Sequence, residues 1–188
     1  MCMRHLGLGE PSPLQYAIAE TIQNGDKDFQ LQAGRGAGKS TVVAMYASWL
    51  LLNDPNCTIL VLSATQDKAI KFISQVRRIL DLVPYMANLI PGPQTIDSAF
   101  GFNVLHRTRE GQDLSVTAKG ITGQITGAHA DYVLCDDVEI EKNSDTPSAR
   151  NKLIERCAEL EQIRNPVPHG RIVLLGTYQS TDSIYLRL

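Results

Sequence analysis

The chain has 188 residues, 43% of them hydrophobic and 20% charged, with a formal charge of −2. That length suits one α/β domain with a sizeable core, and nothing in the composition departs from an ordinary globular protein. No basic excess announces a nucleic-acid partner, and the longest apolar run, Val42 to Leu52, falls well short of the roughly 20 residues of a membrane span, so no membrane partner is expected.

In chain order, Leu14 to Asn24 reads as a helix, started by the capping residue Ser12 and by Pro13 in its first turn. Asp28 to Ala33 is a short strand that runs into Gly34-Arg35-Gly36-Ala37-Gly38. Lys39 to Leu52 is a buried helix, stopped at Asn53-Asp54-Pro55-Asn56. Thr58 to Ser63 is an unbroken apolar, β-branched run, the pattern of a strand covered on both faces. Gln66 to Leu82 is amphipathic, with Ala69, Ile70, Ile73, Val76, Ile79, Leu80 and Val83 at helical spacing. Pro84 to Ser98 is rich in Pro, Gly and Asn and is expected to be irregular. Phe100 to Leu105 and Leu114 to Ala118 are expected to pair as a hairpin whose tip carries Arg107 and Arg109. Tyr132 to Cys135 is a second buried strand and delivers Asp136 at its end. Pro147 to Arg164 follows as a helix capped by Thr146, and Arg171 to Leu175 is the last strand.

Apolar strands alternating with helices imply an α/β fold with a mostly parallel central sheet flanked by helices. Ligands of such sheets bind beyond the carboxyl ends of the strands. Gly34, Ser63, Asp136 and Gly176 all fall at such ends.

The strongest motif is Gly34-Arg35-Gly36-Ala37-Gly38-Lys39-Ser40-Thr41, between a strand and a helix. Triphosphate binding needs several main-chain N–H groups turned into one concavity at a helix N-terminus, which glycines permit. Gly36, Ala37, Gly38, Lys39, Ser40 and Thr41 would line that concavity, with Lys39 reaching the β- and γ-phosphates of ATP and Ser40 ligating Mg²⁺. Ala33 stands where the full pattern has its first glycine. The second motif is Tyr132-Val133-Leu134-Cys135-Asp136-Asp137-Val138-Glu139. A strand that delivers adjacent carboxylates to its tip suits metal-assisted phosphoryl transfer, with Asp136 on the metal side. For the base, Asp137 is favoured and Glu139 is also in reach. Ser63-Ala64-Thr65 and Gly176-Thr177 place small hydroxyl residues at two further strand ends, where they contact phosphate or simply cap a turn. Gln15 either reads adenine through its amide or is a solvated helix residue. Arg77 and Arg78 read as a solvated helix face. Arg107 and Arg109 are candidates for contact with DNA or a neighbouring subunit. Cys2, Cys57, Cys135 and Cys157 lack paired metal-ligand spacing, and a reducing, cytosolic setting is expected.

These segments together resemble the large terminase subunit of phages, especially the podophage type called DNA maturase B. The resemblance runs from Leu14 to Leu188 through Leu14-Gln15-Tyr16, the loop from Gln32 to Ser40, Ile59 to Ala64, Gly120 to Gly127, Ala130 to Glu139, Asn143-Ser144 and Leu175-Gly176-Thr177. Its most specific part is the block GITGQITG followed by ADYVLCDDVE. It implies a P-loop NTPase of the ASCE type that hydrolyses ATP with Mg²⁺ to drive double-stranded DNA into a procapsid. Gln15 is then the adenine reader, Arg35 the P-loop arginine near the γ-phosphate, Asp136-Asp137 the acidic pair, and Gly176-Thr177 the coupling motif. The implied partners are the portal protein, the procapsid, the small terminase subunit and copies of the chain itself in a ring, a pentamer. The implied location is the host cytoplasm, on the procapsid during packaging. Two departures stand out: His129 where relatives carry an arginine, and Asp-Asp in place of Asp-Glu. The chain stops at Leu188, just past the coupling motif, so residues 1–188 are expected to form the ATPase domain without the family's nuclease domain. A helicase-like translocase shares every motif at the sheet edge, and a non-catalytic nucleotide-binding module is the third class considered.

Overall fold

The computed structural model describes residues 2–168 and 170–188. After a short helix α1 (Cys2–His5), helix α2 (Pro13–Asn24) opens on a reciprocal cap. The Gln15 amide donates to Ser12 Oγ, and the Ser12 amide donates to Gln15 Oε1 at 2.9 Å. Strand β1 (Phe29–Gln32) leads through the glycine loop into helix α3 (Lys39–Asn53), which is buried along most of its circumference, as its apolar run requires. Strand β2 (Ile59–Ser63) is buried at every position. Helix α4 (Gln66–Leu82) is capped by Thr65 and inserts Ala69, Phe72, Ile73, Val76, Ile79 and Leu80 into the core.

Strands β3 (Asp97–Ser98), β4 (Gly101–Phe102), β5 (Val116–Gly120), β6 (Tyr132–Asp136) and β7 (Arg171–Gly176) complete one sheet in the order β1-β7-β6-β2-β5-β4-β3. From β1 to β5 all neighbours are parallel; β4 and β3 extend the far edge antiparallel. The register sets Gln32 beside Gly176, Asp136 beside Leu175, and Ser63 between Asp136 and Gly120, so the strand ends that bear the motifs finish level with one another. Strand β7 separates the glycine-loop strand from the acidic strand, as in P-loop NTPases of the ASCE type. Alternation along β2 divides the core: Ile59 and Val61 join the cluster under α2, α3 and α4, while Leu60 and Leu62 join the one under α6 (Pro147–Ala158) and α7 (Leu160–Ile163).

The expected fold class holds, with local differences. The irregular stretch contains a 3-10 turn, Pro84–Leu89, that buries Met86 and Leu89. The long helix from Pro147 breaks at Glu159, and a short helix α5 (Glu141–Ser144) precedes it. The hairpin forms, with Gly101 opposite Thr117, but β5 runs on to Gly120 and joins the parallel sheet beside β2. Its apolar signal is confined to alternate residues, so sequence alone showed the hairpin and not the central strand. Arg107 and Arg109 do not form a free tip. Arg107 donates to the Asp113 carbonyl at 2.7 Å, and Arg109 pairs with Asp131 at 2.8 Å. Asp131 precedes β6 and its carboxylate also takes the amide of Thr58 ahead of β2, so both arginines lie at the sheet edge opposite the glycine loop.

Asp131 is a buried junction: its carboxylate accepts from Thr58 N, Arg109 and Asn165 Nδ2, each within 2.9 Å. Burial alone would raise its pKa, but the bonds from Asn165 and Thr58 and the Arg109 charge hold it below the usual value. A depressed carboxylate stabilises the fold above its unfolded pKa of about 4, and that contribution is lost as pH falls through the folded value. Asp131→Ala should therefore cost about 2–4 kcal/mol at pH 7, because three donors lose their acceptor. Urea denaturation at pH 7 and again near pH 3 checks this: the gap between variant and wild type should narrow in acid.

Candidate functional site

The glycine loop is shaped by two left-handed residues, Gly36 (φ 81°) and Gly38 (φ 77°). Gly38 occupies the N-cap position of α3 and offers no side-chain cap, unlike Ser12, Thr65 and Thr146 on α2, α4 and α6. The first-turn amides of α3 are thus left for a ligand, at the positive end of a long helix. Lys39 is 6% exposed, and its ammonium donates to the Ala33 and Gly34 carbonyls at 2.7 and 3.2 Å and to Thr177 Oγ1 at 2.9 Å. Thr177 in turn donates to the Ala33 carbonyl at 3.2 Å, so the end of β7 and the glycine loop share one network.

Ser40 Oγ donates to Asp136 Oδ1 at 2.8 Å. A hydroxyl and a carboxylate oxygen in contact are the hard donors that Mg²⁺ takes, and the pair fits that ion. Burial, opposed by the Ser40 hydrogen bond and aided by the neighbouring Asp137 charge, pushes Asp136 up to about 6. Asp137 is the one non-glycine residue with positive φ (44°) among the described residues. Its amide donates to the Leu175 carbonyl at 3.0 Å, while its Oδ1 is buried without a hydrogen-bond partner. Two cavities meet at Asp137. One of about 240 Å³ is lined by Ser40, Lys68, Lys71, Gln75 and Asp136, and one of about 460 Å³ by Arg35, Lys68, Glu139, Glu141, Lys142 and Gln179.

The structure thus pairs Lys39 with Thr177 and Ser40 with Asp136, and sets Asp137 next to the second pair. Arg35 reaches across the larger cavity to Gln179 Oε1 at 3.0 Å. Thr41 accepts from Gln75 Nε2 at 2.9 Å, and the Ala37 amide closes the loop onto the Gly34 carbonyl. Gln15 lies against Gly38, where any side chain would strike its amide. It also borders a cleft of about 370 Å³ with Cys2, Tyr16, Met45, Tyr46 and Trp49, the last two stacked with centroids 5.8 Å apart. Glu139 borders the larger cavity, but its carboxylate is bonded to a distant segment. Its carboxylate is fully buried and accepts from Ser183 Oγ and from the Ile184 amide at 3.1 Å. Thr65 acts as the cap of α4, and His129 is exposed. Sequence reading missed Lys68, Gln75, Gln179 and the 183–185 segment. Only Lys68 had a local signal, being one turn beyond the cap at a strand end that bears a motif.

The raised Asp136 pKa has a cost. An ionised carboxylate with a folded pKa above its unfolded one destabilises the fold, a penalty that grows from about pH 4 to about pH 6 and is complete at neutrality. Asp136→Asn keeps the acceptor for Ser40 and removes the charge. Without nucleotide or Mg²⁺ it should raise the melting temperature at pH 7.5 by a few degrees, corresponding to about 1–3 kcal/mol. At pH 4 the two proteins should melt together, which scanning calorimetry at both pH values checks.

No family model matches the chain. Over 184 residues it is 39% identical to the terminase large subunit of Enterobacteria phage T3, an alignment covering 97% of this chain and 31% of that protein. The chain thus spans about a third of the length of the curated relative it matches. Among solved structures, the large terminase ATPase domain of Thermus phage P74-26, in a point-mutant form, superposes with a TM-score of 0.57 at 17% identity, over 98% of this chain and 71% of that one. Yeast Dbp5, solved with Nup159, Gle1, IP6 and ADP, superposes with a TM-score of 0.60 at 12% identity, over 96% of this chain and 46% of that one. At such identities these two likenesses speak for the fold, and the phage T3 alignment speaks for descent. Along nearly all its length the chain is thus similar in sequence to a phage large terminase, and its fold is one that a phage terminase ATPase domain shares.

Proposed function

We propose that residues 1–188 form an ATP-hydrolysing motor domain that drives double-stranded viral DNA into procapsids. The observation that carries this reading is the contact of Ser40 with Asp136, with the unpartnered Asp137 carboxylate beside it. In this reading the phosphates of ATP lie on the amides from Gly36 to Thr41, and Lys39 exchanges its loop carbonyls for β- and γ-phosphate oxygens. Ser40 and Asp136 would hold Mg²⁺, which when bound would supply positive charge beside the phosphates. Asp137 orients the attacking water and takes its proton, which suits a carboxylate whose Oδ1 has no hydrogen-bond partner. Thr177, bonded to Lys39 and Ala33, senses whether the γ-phosphate is present. Arg35 turns from Gln179 to that phosphate, and Gln15 reads adenine at the mouth of its cleft.

The partners that go with this reading are double-stranded DNA, the portal and procapsid, the small terminase subunit, and further copies of the chain in a ring, in the host cytoplasm. A helicase-like translocase is the second reading, since it would share every motif at the sheet edge. The phage T3 alignment favours packaging.

Lys39→Ala should lower ATP affinity at least tenfold in titration calorimetry. Asp137→Asn should bind ATP as the wild type does and turn over about 10²–10⁴ times more slowly in single-turnover assays, the loss expected for a general base. The per-subunit rate of the wild type should rise when portal-bearing procapsids and DNA are added. A fast rate indifferent to both partners would speak against a packaging motor.

A further inference from the structure

Beyond Thr177 the chain turns back beneath the sheet edge, where Ser183, Ile184 and Tyr185 are almost wholly buried. Three elements of the site converge on this short segment. Gln30 on β1 donates to the Tyr185 carbonyl at 2.6 Å. The Tyr185 hydroxyl accepts from the Glu139 amide and donates to the Leu175 carbonyl on β7, both at 3.4 Å. That carbonyl is the one that receives the Asp137 amide, so Tyr185 and Asp137 share an acceptor. Gly176 completes the fit, since a side chain there would overlap the Tyr185 ring.

Glu139 contributes its carboxylate as well as its amide. It is 0% exposed, and no Lys, Arg or His lies within 4 Å of its carboxylate among the described residues. A carboxylate is kept in such a place only by hydrogen bonds, and Ser183 Oγ and the Ile184 amide supply them. Two residues earlier, Asp137 holds a left-handed conformation that a non-glycine residue keeps only where its surroundings over-determine it. The Leu175 carbonyl fixes one end of that turn, and the Glu139 anchor fixes the other.

We propose that Ser183 and Tyr185 latch Glu139 in place and thereby hold the Asp137 carboxylate in line with the γ-phosphate, making all three positioning residues. The proposal rests on the ATPase reading above and deepens it. The segment leaves the sheet through Thr177, so displacement of the chain beyond the coupling motif is felt at Asp137 through the latch. Glu139 then acts on the hydrolytic water only through Asp137.

The test compares steady-state ATPase kinetics, ATP affinity by calorimetry, and thermal melts for the wild-type chain, Ser183→Ala, Tyr185→Phe and Glu139→Gln. Misplacing a catalytic group by an ångström costs up to about 100-fold in rate. Ser183→Ala and Glu139→Gln should therefore each lower kcat about 10- to 100-fold with KM and ATP affinity within about threefold of wild type. Tyr185→Phe should lower kcat in the same direction by less. The double variant Ser183→Ala/Glu139→Gln should be no slower than the slower single one, because both break one device. If Ser183→Ala and Tyr185→Phe keep wild-type kcat while Glu139→Gln abolishes turnover, Glu139 acts on the water itself and the latch is wrong. A rise in KM that matches the fall in kcat overturns it too, since the whole site then depends on the segment. Should Glu139→Gln not fold, the two milder variants decide. A wild type that neither binds nor hydrolyses ATP removes the ATPase reading and the latch together, an outcome visible before any variant is made.

Discussion

Ser40 and Asp136 are 96 residues apart in the chain and 2.8 Å apart in the fold. Their contact requires that β1 and β6, separated by β7, end at one level, and the parallel register achieves this by matching Gln32 with Gly176 and Asp136 with Leu175. Everything else at the site depends on that alignment. Lys39 reaches Thr177 only because β7 ends there, and the Asp137 amide finds the Leu175 carbonyl for the same reason. A slip of one residue in any of these strands would also exchange core and opposite-face side chains, so burial of Val61, Leu134 and Val173 in one cluster guards the geometry of the chemistry.

The two ends of the sheet are built on different terms. At the amino ends of β2 and β6, Asp131 is saturated with donors and Arg109 and Asn165 are held by it. At the carboxyl ends, α3 is uncapped, Asp136 is ionised against burial, Asp137 is in a left-handed turn, and one carboxylate oxygen has no bond. Local dissatisfaction of this kind is tolerated where a ligand completes the bonding, and it is offset by the well-satisfied end.

What could be read in advance divides along the same line as what is local. The glycine loop, the Ser12, Thr65 and Thr146 caps, the stripe of α4 and the apolar run of β2 carry their signals within a few residues, and the sequence reading of them matches the fold. The surroundings of Arg107, Arg109 and Glu139 are set by distant partners: Asp113 and Asp131 for the arginines, and Ser183 for the carboxylate, 44 residues away. An exposed hairpin tip and a choice of two bases are what spacing alone offers. Spacing does not say that Asn56 and Asp131 cover the one, or that the chain returns to claim the other. Strand β5 was half legible, because Val116 and Ala118 suffice for a hairpin and the parallel pairing with β2 is a property of β2.

The thiols carry a practical consequence. Burial pushes Cys57 and Cys157 up to about 12 and Cys135 well above its ordinary value, so none of the three offers a thiolate at neutral pH. Cys2 alone is partly exposed, with its sulfur 2.9 Å from the Tyr85 hydroxyl, on the rim of the cleft that Gln15, Tyr16 and Trp49 share. A maleimide dye added to the native chain would therefore settle at one position without any engineering of the sequence. From there its emission would report on whatever enters the cleft beside Gln15, a spectroscopic test of the adenine site proposed there.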